Sequence, residues 1–299
     1  MSIAPTVVTP ATESDVISEL RCGEDETVRP LAGGTALALL VRYGFLQPTR
    51  LVSLRGVRAG HGQIGRPRPD TLRIGAMVTL SELARSPLVA ELADPLAMAA
   101  GEVANPRVRN VACLGGHLAH ADPHMDLPPV LLALDARVEV RGPDGTRWTP
   151  VDDLVSGYYE TTLAQQELIT AVEIPVLAGR RAGYCRYTSA AVDDWPSVGV
   201  AVAMQPRDGR VTEPRLAVGA ATVSPLRLRD AEQLLDGMPL DDAARLDAAC
   251  QAAAHAAGDL VRPASDLHGS AAYKRDMVRV HARRALARLF ARYGQEVGR

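Results

Sequence analysis

Pro30-Leu31-Ala32-Gly33-Gly34-Thr35 sets two adjacent glycines between a strand-like run, Thr27 to Leu31, and a stretch of helical composition, Ala36 to Arg42, ended by Gly44. Glycine tolerates positive φ and carries no Cβ, so a glycine pair here lets the backbone approach a bulky polar ligand. A strand that turns into a helix through this segment aims the unpaired N–H groups of the helix start at an anion, an effect of roughly 0.3–1 kcal/mol per favourable charge. A second pair lies in Cys113-Leu114-Gly115-Gly116-His117, again in apolar surroundings. Two such loops suggest one ligand gripped from both sides, and the expected match is the phosphates of a dinucleotide.

Around the first pair, residues from about 1 to 55 read as strand, helix, strand, glycine loop, helix, strand. The first helix is Ser14 to Arg21, capped by Thr12 or Ser14, and the last strand is Leu51 to Leu54. This alternation predicts a small parallel βαβ layer. Gly56 to Asp70 reads as a turn-rich boundary. Beyond it come a strand at Thr71 to Ile74, a helix opened by the capping box of Thr79 and Glu82, an alanine-rich helix at Pro95 to Val103 and an apolar helix at Leu127 to Leu134. Gly142-Pro143-Asp144-Gly145 predicts a hairpin between Arg137 to Arg141 and Arg147 to Thr149, and Glu167 to Ile174 closes the unit as a strand. After Ala178 the pattern becomes three strands, Ala182 to Ser189, Val198 to Met204 and Arg215 to Ala221. Helices follow at Leu226 to Leu235, Asp241 to Ala257 and Ser270 to Tyr293.

Composition removes several function classes. The chain has 299 residues, 47% of them apolar, which suffices for a sizeable core, and a net charge of -2, which gives no general case for nucleic-acid binding. Lys274 is the only lysine, so there is no G-K-[ST] phosphate loop, and no G-x-G-x-x-G follows a strand. Phosphates must then be met by backbone N–H groups, hydroxyls and arginine. Cys22, Cys113, Cys185 and Cys250 are scattered without C-x-x-C spacing, which argues against a zinc ribbon, an iron–sulfur cluster or a disulfide framework. No apolar run reaches membrane-span length and the N-terminus has no signal-peptide pattern, so the cytoplasm is the expected compartment.

Three segments taken together resemble one family: Pro30 to Thr35; Arg109-Asn110-Val111-Ala112-Cys113-Leu114-Gly115-Gly116-His117-Leu118-Ala119-His120-Ala121-Asp122-Pro123-His124-Met125-Asp126; and Asp266-Leu267-His268-Gly269-Ser270-Ala271-Ala272-Tyr273-Lys274-Arg275. The family is the FAD-binding medium subunit of the molybdenum hydroxylases, which includes the flavoprotein of aerobic carbon monoxide dehydrogenase and the FAD domain of xanthine dehydrogenase. Its usual forms are A-G-G-[THQ], R-N-x-[GA]-[TS]-[IVL]-G-G-N with a following P-x-x-D, and R-G-S-A-x-Y-[RK]-R. The resemblance implies an α+β protein. Two N-terminal α/β sub-domains (about 1–55 and 56–178) form an FAD-binding domain over 1–178, and a C-terminal α+β domain over 179–299 carries a three-stranded antiparallel sheet and helices. It also implies one non-covalent FAD in this chain, a large partner with the molybdenum cofactor, a small partner with two [2Fe–2S] clusters, and assembly as a dimer of heterotrimers. Electrons would run from molybdenum through the clusters to FAD and on to an external acceptor.

Residue by residue, the resemblance assigns the FAD pyrophosphate to the N–H groups of Ala32, Gly33, Gly34, Thr35 and Ala36. The second loop maps onto Cys113, Leu114, Gly115, Gly116 and His117, with Ala119 and His120 lining the cofactor and Asp126 on its sugar-chain hydroxyls. Ile169 falls at an apolar position near the flavin or adenine, and Arg186 at a lysine position near the flavin ring. Departures from the family pattern are His117 for asparagine, Cys113 for Thr or Ser, Arg186 for lysine, and Ala190-Ala191 where many relatives carry two arginines. Other readings stand beside these. His117, His120, Asp122, His124 and Asp126 have metal-ligand chemistry, although Pro123 breaks the helix that would align the imidazoles. Cys113 is either a packed or a reactive thiol. An aromatic of the pair Tyr158-Tyr159 approaches the flavin or is simply buried. For the chain as a whole, the alternatives are a free-standing flavin oxidoreductase, which needs a general base not assignable here, and a scaffold subunit that has lost FAD.

Overall fold

The computed structural model describes residues 4–24, 26–191 and 193–297. It begins with strands β1 (Thr6–Val8), β2 (Val28–Leu31) and β3 (Arg50–Ser53) interleaved with helices α1 (Glu13–Glu19) and α2 (Thr35–Arg42). The strands pair in the order β1-β3-β2, all parallel, as the βαβ alternation predicts. Thr12 caps α1 by accepting from the Asp15 N–H. Under this sheet Val16, Leu20, Val28 and Val52 form a small core with Leu168. Helix α2 is different, because none of its residues is fully buried despite the sequence TALALLVR.

The middle of the chain holds α3 (Arg58–His61), β4 (Ile64–Arg68), β5 (Thr71–Gly75), α4 (Leu80–Arg85), α5 (Pro87–Leu92), α6 (Asp94–Glu102), α7 (Pro106–Arg109), α8 (Leu114–His120) and α9 (Leu127–Ala133). It continues with β6 (Arg137–Gly142), β7 (Gly145–Pro150), the short pair β8 (Val155–Gly157) and β9 (Glu160–Thr161), and β10 (Leu168–Pro175). The five-stranded sheet runs β4-β5-β10-β6-β7 and every pair in it is antiparallel. Two expectations need correction here. Residues 56–70 contain a strand, β4, which tolerates Gly65 and Pro67 because it is an edge strand whose register slips between Gly65 and Arg68. The second glycine pair is not in a loop: Gly115 and Gly116 lie in the first turn of α8. The capping box of Thr79 and Glu82 opens α4 as expected.

The third sheet, β11 (Arg181–Tyr187), β12 (Val198–Arg207), β13 (Arg210–Gly219) and β14 (Leu226–Arg227), is antiparallel in chain order. It has four strands where three were expected. Leu226 and Arg227 pair with Val218 and Ala217 as an edge strand directly after Pro225, a residue that disfavours helix before it, and helix α10 is confined to Arg229–Gln233. Helices α11 (Ala243–Leu260) and α12 (Ala271–Val297) cover one face, α12 through Val278, Ala282, Ala285, Leu286 and Leu289, which recur at helical spacing. The main cores lie under these last two sheets.

Candidate functional site: two helix starts facing one cavity

Strand β2 ends at Leu31 and the chain turns through Ala32, Gly33 and Gly34 into α2. Gly34 is the N-cap, at φ +73°, and no side chain caps the helix. The first intrahelical bond runs from the Ala38 N–H to the Gly34 carbonyl at 2.8 Å, so the amides of the preceding turn have no partner within the helix. Gly33 has a different reason to be glycine. A Cβ there would stand 1.9 Å from the Val111 carbonyl oxygen, so this position is reserved for packing against the segment before α8.

At the second pair most amides are engaged within the protein. The Leu114 N–H donates to Val78 O at 2.9 Å, the Gly115 N–H to Ala76 O at 2.8 Å and the His117 N–H to Cys113 O at 2.9 Å. A Cβ on Gly115 would meet the Ala76 Cβ at 2.6 Å, whereas one on Gly116 would meet only the Ala32 Cβ at 3.7 Å. Gly116 is thus the member of this pair that leaves open space. Cys113, the N-cap of α8, provides no side-chain cap. Its Sγ accepts the Gly33 N–H and donates to Val111 O at 3.3 Å, and burial pushes its pKa up. The thiol therefore pins the two glycine segments to each other and stays protonated, which favours the packing reading over the reactive one.

The two helix starts face a single cavity of 560 Å³. Its lining includes Ala32, Gly33, Gly34, Thr35, Ala36, Cys113, Gly115, Gly116, His117, Ala119, His120 and Ile169. Leu114, Asp126 and Arg186 are not among the lining residues. Leu114 is fully buried in the central core. Apolar walls that sequence reasoning missed come from Leu37, Leu40, Phe45, Leu46, Met77, Met125 and Leu163, and Tyr159 adds an aromatic. The apolar face of α2 was the available signal, since Leu37 and Leu40 follow the Gly-Gly turn at helical spacing. The cavity's carboxylates are already matched: Glu13 with Arg141 at 2.6 Å and His61 at 2.9 Å, Glu167 with Arg147 at 2.7 Å. Little unbalanced negative charge is left to repel an anionic ligand.

The histidines of the second segment have separate surroundings. The His117 ring is half-buried, but its Nε2 is shut off from solvent and has no partner among the described residues. Burial, with a smaller contribution from His120, lowers its pKa to about 4, so the ring is neutral at pH 7. His120, also lowered by burial, packs edge-on against Tyr159 with centroids 5.2 Å apart. Among the described residues no group of three or more His, Cys, Asp or Glu side chains converges to hold a metal.

Asp126 and Arg186 meet each other away from the cavity lining. Asp126, 3% exposed, accepts from the Tyr184 hydroxyl at 2.7 Å and forms an ion pair with Arg186, whose Nε lies 3.0 Å from its Oδ1. Burial raises its carboxyl to about 6, with the Arg186 cation and the Tyr184 hydroxyl opposing. The Arg186 guanidinium also donates to Glu102 O at 2.8 Å and to Asp194 O at 2.7 Å. Together these contacts tie the start of α9 to strand β11.

Residues 2–177 match the family described as the FAD binding domain in molybdopterin dehydrogenase, and residues 184–289 match the CO dehydrogenase flavoprotein C-terminal domain. The chain is 35% identical to the nicotine 6-hydroxylase medium subunit of Paenarthrobacter nicotinovorans, over 95% of this chain and 96% of that protein. It is 33% identical to the carbon monoxide dehydrogenase medium chain of Hydrogenophaga pseudoflava, over 88% and 89%. The solved carbon monoxide dehydrogenase of Hydrogenophaga pseudoflava that lacks the Mo-pyranopterin moiety superposes with a TM-score of 0.90 at 32% identity, covering 98% of this chain and 99% of that one. Quinoline 2-oxidoreductase from Pseudomonas putida 86 gives 0.88 at 28% identity, over 97% and 98%. A glycine-marked cavity within the first matched segment and a full-length correspondence in fold lead to one assignment: the chain belongs to the family of FAD-binding domains of molybdopterin dehydrogenases, with a CO dehydrogenase flavoprotein C-terminal domain behind it.

Proposed function

We propose that this chain is the electron-transfer flavoprotein of a molybdenum hydroxylase, taking electrons from [2Fe–2S] clusters of a small partner and passing them to an external acceptor, while a large partner with the molybdenum cofactor oxidises the substrate. The observation that carries the reading is the meeting of two helix starts, neither capped by a side chain, on one apolar-walled cavity with matched carboxylates. FAD fits those residues. The amides of Gly34, Thr35 and Ala36 at the start of α2 suit its pyrophosphate. Gly116 leaves space for close approach, the buried His117 Nε2 offers an unused polar atom, and Leu40, Met77 and Ile169 supply apolar contact.

Bound FAD supplies exchange between one-electron donors and two-electron acceptors, chemistry no side chain of this composition provides. The chain's own residues bind and orient. His117 and His120 have pKa values lowered by burial, and Glu13, with His61 and Arg141, and Glu167, with Arg147, are held in ion pairs, so among the described residues lining the cavity no free base is assigned to abstract a substrate proton. That is why substrate oxidation is assigned to a partner. Medium chains of the relatives imply large and small partners, and in the same reading residues 1–178 form the FAD domain and 179–299 a second domain. Asp126 and Arg186 then act indirectly, by fixing one domain against the other.

The test is anaerobic reduction of the purified chain, alone and assembled with its partners. The chain should contain FAD that acid releases. That flavin should stay oxidised with purines, aldehydes or N-heterocycles until both partners are present. Reduction of the isolated chain by such a donor would overturn the reading in favour of a free-standing oxidoreductase, and a colourless chain that cannot be loaded with FAD would leave a scaffold.

A further inference from the structure

Arg29 lies on β2, three residues before Ala32, and among the described residues it is the one arginine or lysine that lines the cavity. Its half-buried side chain is held by two neutral oxygens: Nη1 donates to the Val28 carbonyl at 3.0 Å and to Gln165 Oε1 at 3.4 Å. No carboxylate among the described residues pairs with it, and its Nε and Nη2 make no hydrogen bond there. The two carboxylates of the lining, Glu13 and Glu167, bond other cations, Arg141 with His61 and Arg147. Arg29 therefore adds a positive charge to the wall that nothing in the wall cancels.

Gln165, itself a lining residue, decides where that charge sits. Its Nε2 donates to Val28 O at 3.0 Å and to Leu20 O at 3.4 Å, which turns the amide oxygen toward Arg29. The neighbouring Gln166 donates to Ile17 O at 3.1 Å, so the segment before β10 is fastened to α1 and β2. An amide oxygen fixes a guanidinium without neutralising it, whereas a carboxylate in its place would do both. What is left is a planar cation with unused donors, the geometry suited to phosphate oxygens.

The composition leaves arginine as the cationic phosphate ligand, and Arg186 is spent on Asp126 outside the lining. About 10 Å of strand separates Arg29 from the turn before α2, so one extended dinucleotide meets both. We infer that Arg29 is the cationic anchor for the diphosphate of that dinucleotide, and that Gln165 positions it. The opening amides of α2 offer partial charges, and the guanidinium supplies a full one. Arg29 touches the ligand, whereas Gln165 acts through Arg29. This rests on the reading of the cavity as an FAD site, and it concerns the anionic half of the cofactor, so it can be tested without the flavin ring.

The experiment is calorimetric titration of the flavin-stripped full chain with FAD, ADP and riboflavin, for wild type, Arg29→Met, Arg29→Lys and Gln165→Glu. Arg29→Met should weaken FAD and ADP alike by about tenfold or more and leave riboflavin unchanged, while Arg29→Lys recovers part of the loss. Gln165→Glu, which sets a carboxylate against the guanidinium, should weaken ADP as much as Arg29→Met does although Arg29 is still present. Raising salt from about 0.05 to 0.5 M should cost wild type more ADP affinity than it costs Arg29→Met. Should Gln165→Glu fail to fold, the two Arg29 variants decide the matter. Equal ADP affinity in wild type and Arg29→Met would overturn the anchor. So would a riboflavin loss as large as the ADP loss, or an identical salt dependence in the two proteins. If wild type takes up ADP but no FAD, the proposed function fails and the ADP arm still decides the anchor; if it takes up neither, both fall.

Discussion

The two glycine pairs look alike in sequence and differ in the folded chain. The first is a turn before a helix with no side-chain cap, whose opening amides have no intrahelical partner; the second is the first turn of a helix whose amides at Leu114, Gly115 and His117 already bond within the protein. Within each pair the labour is divided as well. Gly33 and Gly115 are glycines because Val111 O and Ala76 Cβ occupy the Cβ positions. Gly34 is one because its φ is positive, and Gly116 has room around it. One glycine in each pair is thus required by the fold, and the other is the one assigned to the proposed FAD site.

That division can be broken by substitution. The largest effect should come from Gly33→Ala, whose new Cβ meets a backbone carbonyl that cannot rotate away. A loss of roughly 3–4 kcal/mol in denaturant unfolding of the FAD-free chain is expected. A loss below about 1 kcal/mol would show that the segments around Val111 and Gly33 separate easily. Next is Gly116→Val, which should leave unfolding of the FAD-free chain within about 1 kcal/mol of wild type and weaken FAD binding about a hundredfold or more. Wild-type FAD content in that variant would remove Gly116 from the site.

His117 lets the comparison be read by pH. Its folded pKa of about 4 lies below the ordinary 6.5, so the unfolded chain takes up a proton that the folded chain refuses. The stability this represents is complete above pH 6.5 and is lost as the pH falls toward 4. His117→Asn, which restores the family's usual residue, should flatten the acid limb of the FAD-free chain. Between pH 6.5 and 5 the difference should be about 1–2 kcal/mol, and parallel profiles for the two proteins would contradict it. Smallest is Gly34→Ala, where a left-handed alanine costs about 1 kcal/mol and FAD binding weakens only as far as the helix start shifts. If Gly34→Ala lost more FAD than Gly116→Val, the roles given to the pairs would have to be exchanged.

Much of the fold was readable from local rules. Alternation gave the parallel layer, Thr79 and Glu82 the opening of α4, and Gly142-Pro143-Asp144-Gly145 the β6–β7 hairpin. Edge strands were the main loss. β4 and β14 contain or follow proline and glycine, and they are strands only because β5 and β13 offer them a partner. At the site, the assigned residues that line the cavity are those on the turn before α2, along α8 and on β10. Asp126 and Arg186 carry the right chemistry but meet each other in the interior instead.

The sequence by itself determined the family, the apolar periodicity of each helix and strand, and, in a chain with one lysine, the expectation that phosphate is met by backbone N–H groups, hydroxyls and arginine. These follow from residue type and spacing, which act over a few positions. Only the tertiary structure decided which glycine clears space for a ligand and which clears it for Val111 or Ala76, because a Cβ clash depends on what the rest of the chain brings alongside. It also decided that the buried Lys274 finds its partner in Asp266. A buried charge takes its partner from whatever packing delivers within a few ångströms, however far away that partner is in the chain.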